Sequence, residues 1–536
     1  MVMNIFIWKI YCFCLVFWVG GSLIYAQQNQ DSIPNNWHLL DWKEDGVYGI
    51  SIKRAYRELL ADKTGDTVLV AVIDTGMDTL HTNLRTVLWR NKREQGDDED
   101  GNGFKGDFSG WNFLGKIEDA SLEYKRTYTL LLPKYKGRSP GDIRKRDKRE
   151  YMLWKEVQQK VMEDSLRNIN GMKKTMAQYK AADQKIRETL GKDCYSREDL
   201  EKLRDTELAE SNLYRELWYG KRFNTNKELL DEEKLRLNKI EETCYYCIYI
   251  QNDQQRIELR GADENNFQQQ YYGNNNVMDI SGHGTHVAGI IGAAWENGLG
   301  IKGIADKVQL MAVRILNIRD DELDKDVALA IRYAVDNGAR VINMSFAKQY
   351  SPHQEKVEKA IRYALKNDVL LVNGAGNNGA NIDTVPFYPT SGYLGKNKRF
   401  PNMITVGASG PVRKDLIFNV SNYGPEKVDV FAPGTDIYST DLGGTYKKRS
   451  GTSMASPVVA GLAAVLRSYF PQLSARQVKY IIEKSVTPID FPVAPPYPWR
   501  QEVEEVSMKD LCKTGGIVNA YKAIQLAESL TSRKKK

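Results

Sequence analysis

Val70-Ala-Val-Ile-Asp-Thr-Gly76 closes an apolar run that begins at Val68, and its reading decides the fold class. Six residues from Val68 to Ile73 carry no polar side chain, so the segment reads as a strand buried on both faces that ends on a carboxylate and a glycine turn. Val308 to Ile315, Arg340 to Met344 and Asp368 to Val372 read as further buried strands, while Asp324 to Asn337 and His353 to Asn367 have the period of amphipathic helices. Strands alternating with helices predict an α/β fold with a mainly parallel sheet.

Between the first strand and the others the composition changes. From Lys116 to Tyr272, 61 of 157 residues are charged, with only six glycines and two prolines, which is helix composition. Leu153, Val157, Val161, Leu166, Ile169, Met172, Met176 and Tyr179 step mostly by three or four and predict one long helix with an apolar stripe. Ser196 and Asp199 have capping-box spacing, and Leu229 to Ile240 reads as another helix. The expected organisation is a leader (1–26), a first part of one domain (27–115), a helical insertion (116–272), the second part of that domain (273–530) and a basic tail (531–536).

At 536 residues the chain has room for two to four domains of about 100 to 200 residues each. With 42% apolar and 27% charged residues it is unlike a disordered, fibrous or multi-spanning membrane chain. The formal charge of +7, from 76 basic and 69 acidic side chains, is too small at this length to point to nucleic acid. Met1 to Lys9, the uncharged run Ile10 to Ala26 and polar Gln27 have the pattern of a secretory signal peptide cut near Ala26. An uncleaved anchor is the alternative, and contact with a membrane is expected only in that case. A periplasmic or secreted location follows from the first reading, and there Cys194, Cys244, Cys247 and Cys512 can pair in three ways.

Three further features carry chemistry: Asp74 at the end of the first strand, Ser281-Gly-His-Gly-Thr-His-Val-Ala-Gly289 leading into a small-residue helix, and Ser450-Gly-Thr-Ser-Met-Ala-Ser-Pro-Val-Val-Ala-Gly461 leading into an apolar one. Pro457 is expected in the first helical turn, where its missing N–H is not needed. A serine hydroxyl becomes a nucleophile when a histidine takes its proton, and the histidine needs a carboxylate to fix its tautomer. Asp74, His283 and Ser453 supply these three types, with His286 as an alternative to His283.

These blocks resemble the Asp, His and Ser signatures of the subtilisin-like serine proteases, the subtilases, over roughly Asn36 to Leu114 and Gly273 to Ala527. The resemblance implies a three-layer α/β/α fold in which Asp74 orients His283, His283 is general base and acid, and Ser453 attacks a peptide carbonyl. It selects His283 over His286, and it places Asn377 at the family's oxyanion asparagine, working with the serine's backbone N–H. Ser345, Phe346 and Ala347 would pair with a substrate backbone, and Gly374, Ala375 and Gly376 would line the pocket for the residue before the scissile bond. Ala347 and Lys348 replace two family glycines and are expected to add bulk and one charge at the rim. Implied partners are protein or peptide substrates, and no cofactor is required for the chemistry. A catalytically idle subtilase fold used as a binding module is the alternative. Because Asn36 to Leu60 resembles the family's catalytic N-terminus, the roughly 40 residues between Gln27 and Val68 are expected to hold no folding prodomain of the family's kind.

Other readings of the same residues are weaker. Gly374-Ala-Gly-Asn-Asn-Gly379 is a formal dinucleotide fingerprint, but Pro386 and Pro389 prevent the helix it needs. No glutamate follows His283 as in a zinc protease. Asp98, Asp100 and Asn102, with Gly103 next, have the spacing of a calcium loop, but Ser109 stands where its bidentate glutamate belongs, so structural calcium and an acidic solvated turn are both open. Asn83 replaces an aspartate that many subtilases use as a calcium ligand. Because the insertion leaves after Asp74 and returns before His283, it is expected to cover the active site, with a peripheral docking domain as the alternative.

Overall fold

The computed structural model describes residues 33–117, 122–219, 222–243, 253–295, 300–317, 321–393, 398–496 and 504–532. The expected signal segment, Cys244 and Cys247 lie outside them. Cys194 and Cys512 are free thiols, the first exposed and the second buried. Among the described residues no helix is long and apolar enough to cross a membrane.

The chain divides into two compact units, residues 1–120 with 260–536, and residues 121–259. In the first, β1 (Val68–Asp74), β2 (Gly110–Asn112), β3 (Val308–Arg314), β4 (Val341–Met344), β5 (Leu370–Gly374), β6 (Met403–Ser409) and β7 (Val430–Pro433) form a parallel array. Two short strands at its edge complete nine, in the order β10-β11-β7-β6-β5-β4-β1-β3-β2, with β10 (Thr487–Pro488) antiparallel to β11 (Gly516–Ile517). A separate hairpin joins β8 (Ile437–Asp441) to β9 (Thr445–Arg449).

Alternation along β1 explains the layering. Val70 and Val72 enter one core and Ala71 and Ile73 the other, because successive side chains of a strand point to opposite faces. The first core is filled by α1 (His283–Gly292) and by α4 (Thr452–Tyr469), which is buried at nearly every position. The second is covered by α2 (Asp324–Asp336) and α3 (Gln354–Lys366), each of which turns one apolar face inward. This is an α/β fold with a mainly parallel sheet.

Residues 260–272, expected in the insertion, belong to the first unit. Arg260 is buried, donates to Phe113 O and pairs with Asp326, and Tyr272 Oη donates to Asp326 Oδ1 at 2.6 Å. Their charge and polarity look solvated in the sequence, but here they satisfy one another.

In the second unit a helix of 43 residues, Lys148–Leu190, spans roughly 65 Å. Tyr151, Trp154, Val157 and Val161 are buried along it, but Leu166 is exposed, because Ser165 takes the inward position four residues after Val161. Leu131, Tyr135 and Ile143 pack with Tyr151 and Trp154, while Ile186 packs with Tyr195, Leu213, Tyr214 and Leu229. Ser196 and Asp199 form the capping box, at a helix of only four residues, Arg197–Leu200.

Candidate active site

Parallel strands bring their carboxyl ends to one edge of the sheet, where open α/β sheets place their ligand crevices. Asp74 ends β1, Ser345 follows β4 and Gly374 ends β5, on three adjacent strands. Asp74 is fully buried, and its Oδ1 accepts from Thr75 N–H and from His283 Nδ1, each at 2.7 Å. Its Oδ2 is buried without a hydrogen-bond partner among the described residues.

His283 reaches Asp74 because α1 starts against the turn after β1. Gly282 caps α1 at φ 76°, and a Cβ there would meet Asp441 Oδ1 at 1.9 Å. A Cβ at Gly284 would meet Gly76 O at 2.1 Å, so this helix turn can approach the strand end only with glycine. Burial lowers the affinity of His283 for a proton, but the adjacent Asp74 carboxylate outweighs it and raises the pKa above 6.5. The ring is a quarter exposed. His286 differs: its buried ring donates from Nε2 to Lys447 O at 2.9 Å, and burial pushes its pKa down to about 4.

Ser453 lies in the first turn of α4. Its Oγ donates to Ser345 O at 3.0 Å, and Ser345 Oγ is 2.9 Å from Ser453 O. The second contact corrects the expectation for Pro457, which sits in the second turn rather than the first. Without an N–H it cannot serve the carbonyl four residues back, which is that of Ser453, and the Ser345 hydroxyl is placed to do so. Thr452 N–H donates to Asn377 Oδ1 at 2.9 Å, which identifies the oxygen end of that amide and leaves Nδ2 as its donor end. Among the described residues Nδ2 has no hydrogen-bond partner.

His283, Asn377 and Ser453 line one cleft of about 300 Å³ together with Ser345, Phe346, Ala347 and Gly376. The N–H groups of Phe346 and Ala347 have no partner among the described residues. Gly374 and Ala375 are not on the cleft surface; Ala375 packs among Ile382 and Phe387. Lys348 does not put its charge at the rim. It is buried, paired with Asp324 at 2.8 Å and bonded to Glu322 O. Glu322 reaches the cleft, and burial raises its carboxyl pKa to about 8 against the opposing pull of Lys348.

A family model for the subtilase family matches residues 65–493, most of the chain. The chain belongs to the subtilases. This subtilase is 44% identical over 191 residues to the thermophilic serine proteinase of Bacillus sp. (strain AK1), an alignment covering 36% of this chain and 44% of that one. It is 34% identical over 258 residues to the cell wall-associated protease of Bacillus subtilis (strain 168), covering 48% and 27%, and 36% identical over 245 residues to thermitase of Thermoactinomyces vulgaris, covering 46% and 75%. The first two matches thus span under half of those relatives.

The subtilase's loop at Asp98 forms a set other than the one its spacing suggests. Asp98 accepts from Gly103 N–H and Asn102 Oδ1 from Phe104 N–H, so both close local turns. Asp100 instead meets Glu94 and Asp107, with one oxygen of each within 4.8 Å of the others. Burial, reinforced by the neighbouring carboxylates, raises the pKa values of Glu94 and Asp107. Sequence reasoning missed Glu94 and Asp107 because the fold, not a fixed spacing, brings them together.

The buried Lys348 pair generates a stability test. Lys348→Met leaves Asp324 without its cation in a dry site and is expected to destabilise the first unit by about 3–5 kcal/mol. Chemical denaturation checks it, and a loss below about 1 kcal/mol would show that the pair is solvated.

Proposed function

We propose that this subtilase is an extracytoplasmic serine endopeptidase acting on proteins or peptides through Asp74, His283 and Ser453. The observation that carries the reading is the 2.7 Å contact between buried Asp74 Oδ1 and Nδ1 of His283, which lines a cleft together with Ser453 and Asn377. With Nδ1–H held by the carboxylate, His283 Nε2 is left as the acceptor for the Ser453 proton. The hydroxyl, which donates to Ser345 O, must turn toward the imidazole before its proton can pass. Oγ then attacks the peptide carbonyl, imidazolium returns the proton to the leaving amine, and water releases the acyl group by the same route.

The carbonyl oxygen becomes an anion in the transition state. Two donors suit it: Asn377 Nδ2, oriented by Thr452, and the N–H of Ser453 in the first turn of α4, where the helix itself offers that amide no acceptor and its dipole favours negative charge. Phe346 and Ala347 offer an unpaired edge to an extended substrate backbone. Each step uses the protein's own groups and, for release of the acyl group, water. Extracytoplasmic location rests on the leader pattern of residues 1–26 and on the relative whose name places it at the cell wall. Residues 121–259 are proposed as an insertion that the sheet does not need for its own pairing.

A structural calcium ion is proposed at Asp100, Glu94 and Asp107. Three converging carboxylates make an all-oxygen donor set, the type calcium prefers, and a cation would relieve their mutual repulsion.

Ser453→Ala is expected to abolish peptide hydrolysis and fluorophosphonate labelling while the melting curve stays near wild type. Asn377→Ala should lower kcat by roughly 100- to 1000-fold with little change in KM, a magnitude carried over by analogy from subtilisin itself. Wild-type turnover in either variant refutes that residue's role. Since the base works only when neutral, and Asp74 favours its charged form, kcat/KM should fall on acidification with a midpoint above 6.5. Asp74→Asn should move that midpoint down; a pH-independent rate between about 5 and 8 excludes His283 as base. Chelator should lower the melting temperature and calcium restore it, by mass action on the native state, and a Glu94, Asp100 and Asp107 triple alanine variant should lose the response. A wild-type melting curve indifferent to both excludes the ion.

A further inference from the structure

Asp279 lies four residues before His283, outside any helix or strand, and its side chain is buried. Its Oδ1 accepts from Ser281 N–H at 2.8 Å and from the hydroxyls of Ser281 and Thr75, each at 3.0 Å. Its Oδ2 accepts from Thr285 N–H at 3.0 Å and from Thr285 Oγ1 at 2.8 Å. All of these partners are donors, the arrangement that suits an ionised carboxylate.

The contacts fall where α1 needs them. The first amides of a helix have no partner inside it, and Gly282, as the cap, brings no side chain. His283 N–H donates to Ser281 Oγ at 3.2 Å, Gly284 N–H to Thr75 Oγ1 at 2.9 Å and Thr285 N–H directly to Asp279. Each acceptor is therefore Asp279 or a hydroxyl that Asp279 holds. Thr75 is the residue after Asp74, so the same carboxylate grips the end of β1 and the start of α1, the two elements that deliver Asp74 and His283.

We propose that Asp279 is a positioning residue for the hydrolytic reaction, fixing His283 against Asp74 by tying the end of β1 to the first turn of α1. The proposal rests on the serine-peptidase reading above. It also has an electrostatic side. The charged or titratable groups acting on His283 are Asp74 and Asp279, which favour its protonated form, Arg449, which opposes it and is itself paired with Asp441, and the buried His286. Neutralising Asp279 removes one influence that favours imidazolium.

The test uses the full chain and a chromogenic peptide, with kcat, KM, the pH profile of kcat/KM and fluorophosphonate labelling of Ser453 measured alongside thermal unfolding. Asp279→Asn is expected to lower kcat roughly 10- to 100-fold, as for a displaced catalytic group, with KM within about threefold of wild type. Its acid limb should move to lower pH, because the imidazolium has lost a neighbouring negative charge. Ser281→Ala, at a half-buried position, removes one donor to Asp279 and the acceptor of the His283 amide but keeps the Asp279 charge, so it should lower kcat to a smaller degree without moving the acid limb to lower pH. A folded Asp279→Asn variant with wild-type kcat and acid limb overturns the proposal, whatever its melting temperature. If that variant does not fold, a wild-type kcat in folded Ser281→Ala overturns it. A wild-type chain that neither cleaves peptide nor labels at Ser453 defeats the serine-peptidase reading itself, a result distinct from an active wild type with indifferent variants.

Discussion

Asp74 ends a strand that is paired on both edges and covered on both faces, so its charge sits where water does not reach. A carboxylate in such a place costs several kcal/mol unless donors surround it. The chain supplies two, the N–H of the next residue and the imidazole of His283. Much of the local architecture follows from delivering the second. Glycines at 282 and 284 let a helix begin at a strand end with almost no clearance, and a small-residue helix fits between the hairpin and α4. Replacing the carboxylate would remove the reason for the approach.

The other half of the site is held by a different device. A proline in the second turn of α4 frees the carbonyl of Ser453, and the hydroxyl at the end of β4 occupies the gap. The bond lost within the helix is thereby exchanged for one between helix and sheet. Ser453 and Ser345 are joined twice, Oγ to carbonyl oxygen in each direction, so the serine is located relative to the end of β4 at the cleft. Positioning here depends on backbone atoms and short side chains, which have little rotamer freedom to lose.

The parts legible in the sequence were those governed by local rules. The run Val68 to Ile73 reads as buried strand because no polar side chain interrupts it, and α4 reads as buried helix because its residues are small or apolar on every side. Asp74 and His283, 209 residues apart, were legible as partners only through the resemblance of their flanking motifs. Charged residues were the least legible. Lys348 and Arg260 look like solvated side chains until Asp324 and Asp326 are brought to them by α2, and no local pattern announces that encounter. Leu166 failed in the opposite direction: apolar and near the expected period, it lies on the wet side because a small serine is enough to fill the inward position.

The pairing of β1 with β3 also bears on how the chain emerges from the ribosome. Val68 faces Val308, so at about 5–20 residues per second the first strand of the sheet is complete some tens of seconds before its neighbour exists. The segment synthesised in between is rich in helix, whose contacts are close along the chain and form in microseconds to milliseconds. Throughout that interval β1 has neither β3 nor β4 to pair with. Holding that strand soluble falls to whatever binds nascent apolar segments, and a faster-translated message shortens the exposure.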